Sequence, residues 1–217
     1  MHKIELIDGA MGSEFIRTGI TLPNHIWSGN VNIEAEEIVY QIHRKYVKAG
    51  SQYLTTNTFR STKRSYMKTG INIKDATLLA KNSLKNAVDI ANRASGNCKV
   101  LGSIAPLEDC YRPEDFPAKD TAFKEFIEIG KWFSETQIDI FLLETMNSII
   151  ETETCISAIK KYNMPIWVSF ILKDDKSILS GESLIDAMKM LNKHNIECML
   201  INCTPLHTTI GALDIIS

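Results

Sequence analysis

The sequence predicts an α/β chain built on a parallel sheet. Short apolar runs rich in β-branched residues alternate with longer segments of helical period, and a polar residue stands just past each run. The runs are Ile4 to Ile7, Tyr53 to Thr56, Val100 to Gly102, Ile140 to Leu143, Ile166 to Phe170 and Met199 to Ile201.

The connecting segments carry helix signals. Asn32 is placed to cap a helix through Ile33, Ile38, Ile42 and Val47, with Glu34, Glu36 and Glu37 near its positive end and Gly50 as the stop. Asp75 to Ala94 reads as a second helix ending at Gly96, and Thr121 to Phe133 as a third with an aromatic face. Ser148 to Tyr162 and Ser183 to Asn192 complete the series.

Composition narrows the function. A length of 217 residues, 44% hydrophobic and 23% charged, fits one domain over residues 1–217 with a sizeable core. A net charge of −2 without runs of like charge leaves no electrostatic footprint for nucleic acid or an anionic membrane, so the expected partners are small molecules. No stretch approaches the roughly 18 apolar residues of a membrane span, and the N-terminus lacks a signal-peptide core. A cytoplasmic location is the expectation. The cysteines, Cys98, Cys110, Cys155, Cys198 and Cys203, are odd in number and scattered, which argues against a disulfide scaffold and for reduced-thiol or metal chemistry.

The polar residues past the runs are Asp8, Asn57, Ser103, Glu144, Ser169, and Asn202 with Cys203. In a closed parallel barrel every strand ends at one face, and these side chains would ring a single pocket. An open doubly wound sheet would string them along an edge. One such residue is readily explained as a turn or cap; a full series in order points to a pocket. The long irregular stretches, 60–74 and 107–120, follow strands, which in a barrel is the functional rim.

Several blocks carry a family resemblance. Asp8-Gly9-Ala10-Met11-Gly12-Ser13-Glu14, Thr56-Asn57-Thr58-Phe59, Gly102-Ser103-Ile104-Ala105-Pro106, Leu143-Glu144-Thr145-Met146, Trp167-Val168-Ser169-Phe170 and Ile201-Asn202-Cys203-Thr204-Pro205 occur in the order and spacing of the homocysteine S-methyltransferases, which the chain resembles. The resemblance implies a TIM-type (β/α)8 barrel, with about six of its eight β/α units present here. It implies transfer of a methyl group from a small donor to homocysteine, giving methionine, with Zn2+ as cofactor. A free thiol with a pKa near 8.5 is mostly protonated at neutral pH, whereas a zinc-bound thiol is held as thiolate, and the metal keeps a position open for it.

By the same resemblance Cys203 is the first zinc ligand, and Asp8 and Glu144, the catalytic pair, receive the homocysteine ammonium through charge-assisted hydrogen bonds. The backbone of Gly9 and Ala10 would face the amino-acid end, with Asn57 and Asn202 as supporting substrate contacts. The family's donors are sulfonium, quaternary-ammonium or folate compounds. Tyr111, with Glu108 or Asp109, is of the right type to face a cationic methyl group.

The sequence departs from the family at three points. Members continue for two further β/α units and supply their second and third zinc ligands from a late Gly-Gly-Cys-Cys segment. No adjacent cysteine pair occurs here, so the domain reads as incomplete at its C-terminus, with one ligand of three. An open sheet would expose two edges, and a partner chain or a homo-oligomer would then complete it. Ala10 replaces a usual glycine, which narrows backbone freedom. The alternative is a catalytically inactive small-molecule-binding protein. A lyase or aldolase would want a strand-end lysine or a late phosphate-binding loop, and neither stands at the predicted strand ends.

Overall fold

The computed structural model describes residues 4–216, which fall into two units, 4–103 with 131–140 and 104–130 with 141–216. The first unit holds α1 (Met11–Arg17), α2 (Val31–Glu34), α3 (Glu36–Lys48), β1 (Tyr53–Thr55), α4 (Lys63–Met67), α5 (Ile73–Ser95) and β2 (Lys99–Ile104). Strands β1 and β2 are parallel, with Leu54 opposite Val100. That arrangement needs a crossover, which the helices between them provide.

The expected strand from Ile4 to Ile7 is reduced to one parallel bridge, Ile7 to Tyr53. Its ladder is partly made by a side chain: Leu6 N donates to Gln52 Oε1 at 2.6 Å, while Gln52 N donates to Leu6 O at 2.8 Å. Ile4, Leu6 and Ile7 are all exposed, so little apolar burial holds a longer strand in place.

The single helix expected from Asn32 to Gly50 is two. Ala35, at φ −144° and ψ 46°, ends α2 and precedes α3. Asn32 therefore lies inside α2 rather than capping a helix, and its side chain is buried. Gly50, at φ 103°, terminates α3 as expected, because the left-handed region suits glycine. Helix α5 starts at Asn72, whose side chain accepts from Asp75 N at 3.0 Å, and stops at Gly96. Helix α3 packs on α5, and Met11, Phe15, Val31, Val39, Ile42 and Ile90 form the core of this unit.

A buried polar network ties the segment before α2 to the end of β1. Asn57 Nδ2 donates to Asn32 Oδ1 at 2.8 Å and to Ser28 O at 3.0 Å, and Ser28 Oγ donates to Asn57 Oδ1 at 2.5 Å. Asn32 Nδ2 donates to Asn57 O at 2.8 Å and to Ser83 Oγ on α5 at 3.0 Å.

The second unit holds most of α6 (Lys119–Ser134), then β3 (Ile140–Met146), α7 (Ile149–Ile159), β4 (Ile166–Phe170), a hairpin of β5 (Leu172–Asp174) and β6 (Ser177–Ile178), α8 (Leu184–Lys193), β7 (Cys198–Ile201) and α9 (Leu206–Ile216). Strands β3, β4 and β7 are parallel in that order, Phe141 opposite Ile166 and Trp167 opposite Cys198. Phe141, Leu143, Val168 and Phe170 are fully buried, the reason these strands read as nearly unbroken apolar runs. The hairpin was not expected from sequence; Asp174 shapes its turn by accepting from Lys176 N and Ser177 Oγ. On α9, Leu206, Ile210 and Leu213 are exposed at 74%, 52% and 50%. No helix of the described residues is long and apolar enough to cross a membrane.

Removing a partner from a satisfied buried network strands the groups that remain, at about 1–3 kcal/mol for each. Asn32→Ala is therefore expected to lower unfolding free energy by about 3 kcal/mol in urea titrations, with little change in the slope of the transition.

Candidate functional site

Two sets of predicted residues form, one in each unit. In the first, Asp8 follows the Ile7 bridge, with its N–H donating to Tyr53 O at 3.0 Å and its Oδ2 accepting from Thr55 N at 2.9 Å. Its side chain is 1% exposed. Gly9 and Ala10 lead from it into α1. Ala10 has φ −64° and ψ 119°, an ordinary extended conformation, so alanine there costs no backbone strain and the narrowed freedom expected from sequence has no effect on the turn. The glycine the turn requires is Gly9: a Cβ there would lie 2.8 Å from Tyr46 Oη. Gly12 is similarly close-packed, by Trp27.

His43 stands behind Asp8 on α3, its Nδ1 3.9 Å from Asp8 Oδ2 and its side chain fully buried. Burial holds its imidazole down at about 4, from 6.5. This contact was not legible beforehand, because a lone histidine in a helix has no ligand spacing.

The Asn57 side chain is engaged with Ser28 and Asn32, with both of its N–H donors used. Nearby, Thr58 Oγ1 donates to Ser103 O at 2.6 Å and Ser103 N donates to Thr56 Oγ1 at 3.0 Å, linking the ends of β1 and β2.

In the second unit the register of β3 against β4 shifts between Leu143 and Met146, and Thr145 there has φ 60°. A left-handed β-branched residue costs on the order of 1–3 kcal/mol. Cys203, just beyond β7, is also left-handed, at φ 49°. The two residues meet, with Thr145 Oγ1 3.9 Å from Cys203 Sγ. Asn202 braces them: its Nδ2 donates to Thr145 Oγ1 at 2.8 Å and to Cys203 Sγ at 3.6 Å, and its Oδ1 accepts from Ser169 Oγ at 2.8 Å.

Burial pushes the Cys203 thiol up, and the Glu144 carboxylate adds to this; hydrogen bonds with Thr145 and Tyr111 oppose them. The thiol is thus protonated at neutral pH. Tyr111 is pushed up too, chiefly by burial and then by the Cys203 and Cys110 thiols. This places the rim tyrosine beside the cysteine. The loop bearing it is held from behind by buried Glu151, which accepts from Leu107 N at 2.8 Å.

A zinc centre of the expected kind needs three protein ligands. Among the described residues no three His, Cys, Asp or Glu side chains gather to hold a metal, so the donors described do not fit one. All five cysteines are free thiols.

Parallel strands joined by helices, with a carboxylate on β3 and a thiol just past β7, define an α/β protein that carries its polar side chains toward the C-terminal ends of its strands. The family described as homocysteine S-methyltransferase matches residues 5–217, and the chain belongs to it. Among its relatives, the homocysteine S-methyltransferase of Escherichia coli is 27% identical over 98% of this chain and 73% of its own length. The homocysteine S-methyltransferase YbgG of Bacillus subtilis is 27% identical over 94% and 70%. A selenocysteine Se-methyltransferase of Brassica oleracea var. italica is 22% identical over 92% and 65%. In structure, the metallated form of the Escherichia coli homocysteine methyltransferase MmuM matches with a TM-score of 0.89 at 24% identity, covering 99% of this chain and 80% of that one.

His43 gives the site a pH signature. The unfolded chain binds its proton near 6.5 and the folded chain near 4, so the folded state is favoured fully above about 6.5 and loses that advantage as pH falls to about 4. The loss is about 3 kcal/mol at roughly 1.4 kcal/mol per pH unit. Urea unfolding between pH 7 and 4 should show this fall, and His43→Leu should flatten it.

Proposed function

We propose that the chain is the homocysteine-binding part of an S-methyltransferase, within a (β/α)8 barrel of which it supplies about six β/α units. The observation that carries the reading is the cluster of Thr145, Asn202 and Cys203 where β3 and β7 end, with the Glu144 carboxylate, next in the chain to Thr145, acting on the Cys203 thiol. Homocysteine presents both an ammonium and a thiol, and a carboxylate beside a sulfur site suits such a ligand. The family match and its relatives support the same substrate.

In this reading Asp8 and Glu144 take the ammonium, and the backbone of Gly9 and Ala10 faces the amino-acid end. Asn57 and Asn202 act from behind, since their amides are engaged in holding Asn32 and Thr145. The reaction forms a bond between the homocysteine sulfur and the methyl carbon, breaks the donor's bond to that carbon, and releases the thiol proton. A sulfonium or quaternary-ammonium donor fits Tyr111 beside Cys203, by attraction of a cationic methyl to an aromatic face. Reduced thiols suit a cytoplasmic setting.

A second reading is favoured by one observation, that no three-ligand cluster forms around Cys203 among the described residues. In it the chain binds the amino acid without catalysing transfer.

Calorimetry with L-homocysteine under reducing conditions tests the shared part. Wild type is expected to bind, and Asp8→Asn and Glu144→Gln each to weaken binding at least about tenfold, or roughly 1.4 kcal/mol. Absence of homocysteine binding by wild type sinks both readings. Methionine formed on adding a methylsulfonium donor selects the first reading; binding without methionine selects the second.

A further inference from the structure

Helix α3 meets the Asp8–Gly9–Ala10 turn with two side chains, His43 and Tyr46, spaced three residues apart and so on one helix face. Tyr46 Oη donates to Ala10 O at 3.2 Å. The Tyr46 ring occupies the space a Cβ on Gly9 would need, with Oη at 2.8 Å and Cε1 at 2.9 Å from that position. The hydroxyl stays protonated at neutral pH: burial pushes it up, Glu14 and Asp8 push the same way, and only Arg17 opposes.

His43 approaches from the same helix. It is fully buried with Nδ1 3.9 Å from Asp8 Oδ2, and neither ring nitrogen has a hydrogen-bond partner among the described residues. A buried polar ring without hydrogen bonds is costly, and an apolar side chain of similar volume would pack there more cheaply. The position of the ring relative to the carboxylate gives it a use. At 3.9 Å, longer than a hydrogen bond, a neutral imidazole can turn an N–H dipole toward the carboxylate and wall its helix side without cancelling its charge. A lysine or arginine in that place would compete with an incoming ammonium.

We infer that His43 and Tyr46 are positioning residues for ligand binding: His43 sets the Asp8 carboxylate, and Tyr46 sets the backbone of Gly9 and Ala10. The inference rests on the reading that Asp8 receives the amino-acid ammonium. Thr55 N holds Oδ2 from the β1 side and His43 backs the same oxygen from the helix side. Arg17 and Glu14, paired with one another on α1, are the other charged groups acting at Tyr46.

The test is L-homocysteine titration calorimetry on the whole chain, with melting temperature measured on every variant. Tyr46→Phe removes one oxygen and keeps the ring; it should weaken homocysteine about three- to tenfold with the melting temperature unchanged. His43→Leu should match or exceed wild type in melting temperature at pH 7 yet weaken homocysteine at least fivefold. His43→Gln restores an N–H donor and should recover most of that loss. Asp8→Asn separates the two levels of the argument. If Asp8→Asn loses binding while His43→Leu and Tyr46→Phe keep wild-type affinity, the positioning roles are wrong and the ammonium site stands. If wild type fails to bind, or Asp8→Asn binds as wild type does, the site reading falls and the positioning roles fall with it. Loss of affinity only in step with a fall in melting temperature would reduce both residues to packing.

Discussion

Two facing asparagines, Asn32 and Asn57, hold the first unit together where the chain leaves β1. Each satisfies the other, and between them they reach Ser28, Ser83 and the backbone of β1's exit. A buried amide of this kind tolerates almost no displacement, since a lost partner leaves a desolvated group behind. The segment from Ile26 to Gly29 is thereby fixed, including left-handed Trp27, whose ring packs on Gly12 at the start of α1. Because α1 begins directly after Ala10, the geometry of the Asp8 turn follows from a network several residues away.

Much of this was legible in the sequence, and the failures have physical causes. Five of the expected strands form; the runs of β2, β3 and β4 are buried along nearly their whole length, whereas β1 and β7 are only partly buried. Ile4 to Ile7 has the same residue types, but composition does not reveal that its neighbourhood leaves it exposed. The break at Ala35 was hidden because alanine is the strongest helix former; tertiary position, not propensity, interrupts the helix there. Asn32 had every mark of a cap, and the buried network claimed its side chain instead.

At the site, the residue types were legible and the supporting contacts were not. Strand-end polar residues announce themselves by following apolar runs, which brought out Asp8, Glu144 and Cys203. The left-handed conformation of Thr145 could not be read, because threonine is among the residues least suited to it. Nor could the engagement of Asn57 and Asn202, since a sequence cannot tell an asparagine that meets a ligand from one that braces the residue that does. His43 shows the same limit from the other side: its significance comes wholly from what lies across from it.

The outer face of α9 has a consequence for how the protein behaves in bulk. Leu206, Ile210 and Leu213 present an apolar stripe to water, and beyond β7 no further strand pairs among the described residues. With a net charge of only −2 and an isoelectric point near 6.2, there is little long-range repulsion to keep such faces apart in neutral buffer. Colloidal stability, rather than folding stability, then sets the usable concentration, and it improves as the pH is moved well to the alkaline side of the isoelectric point.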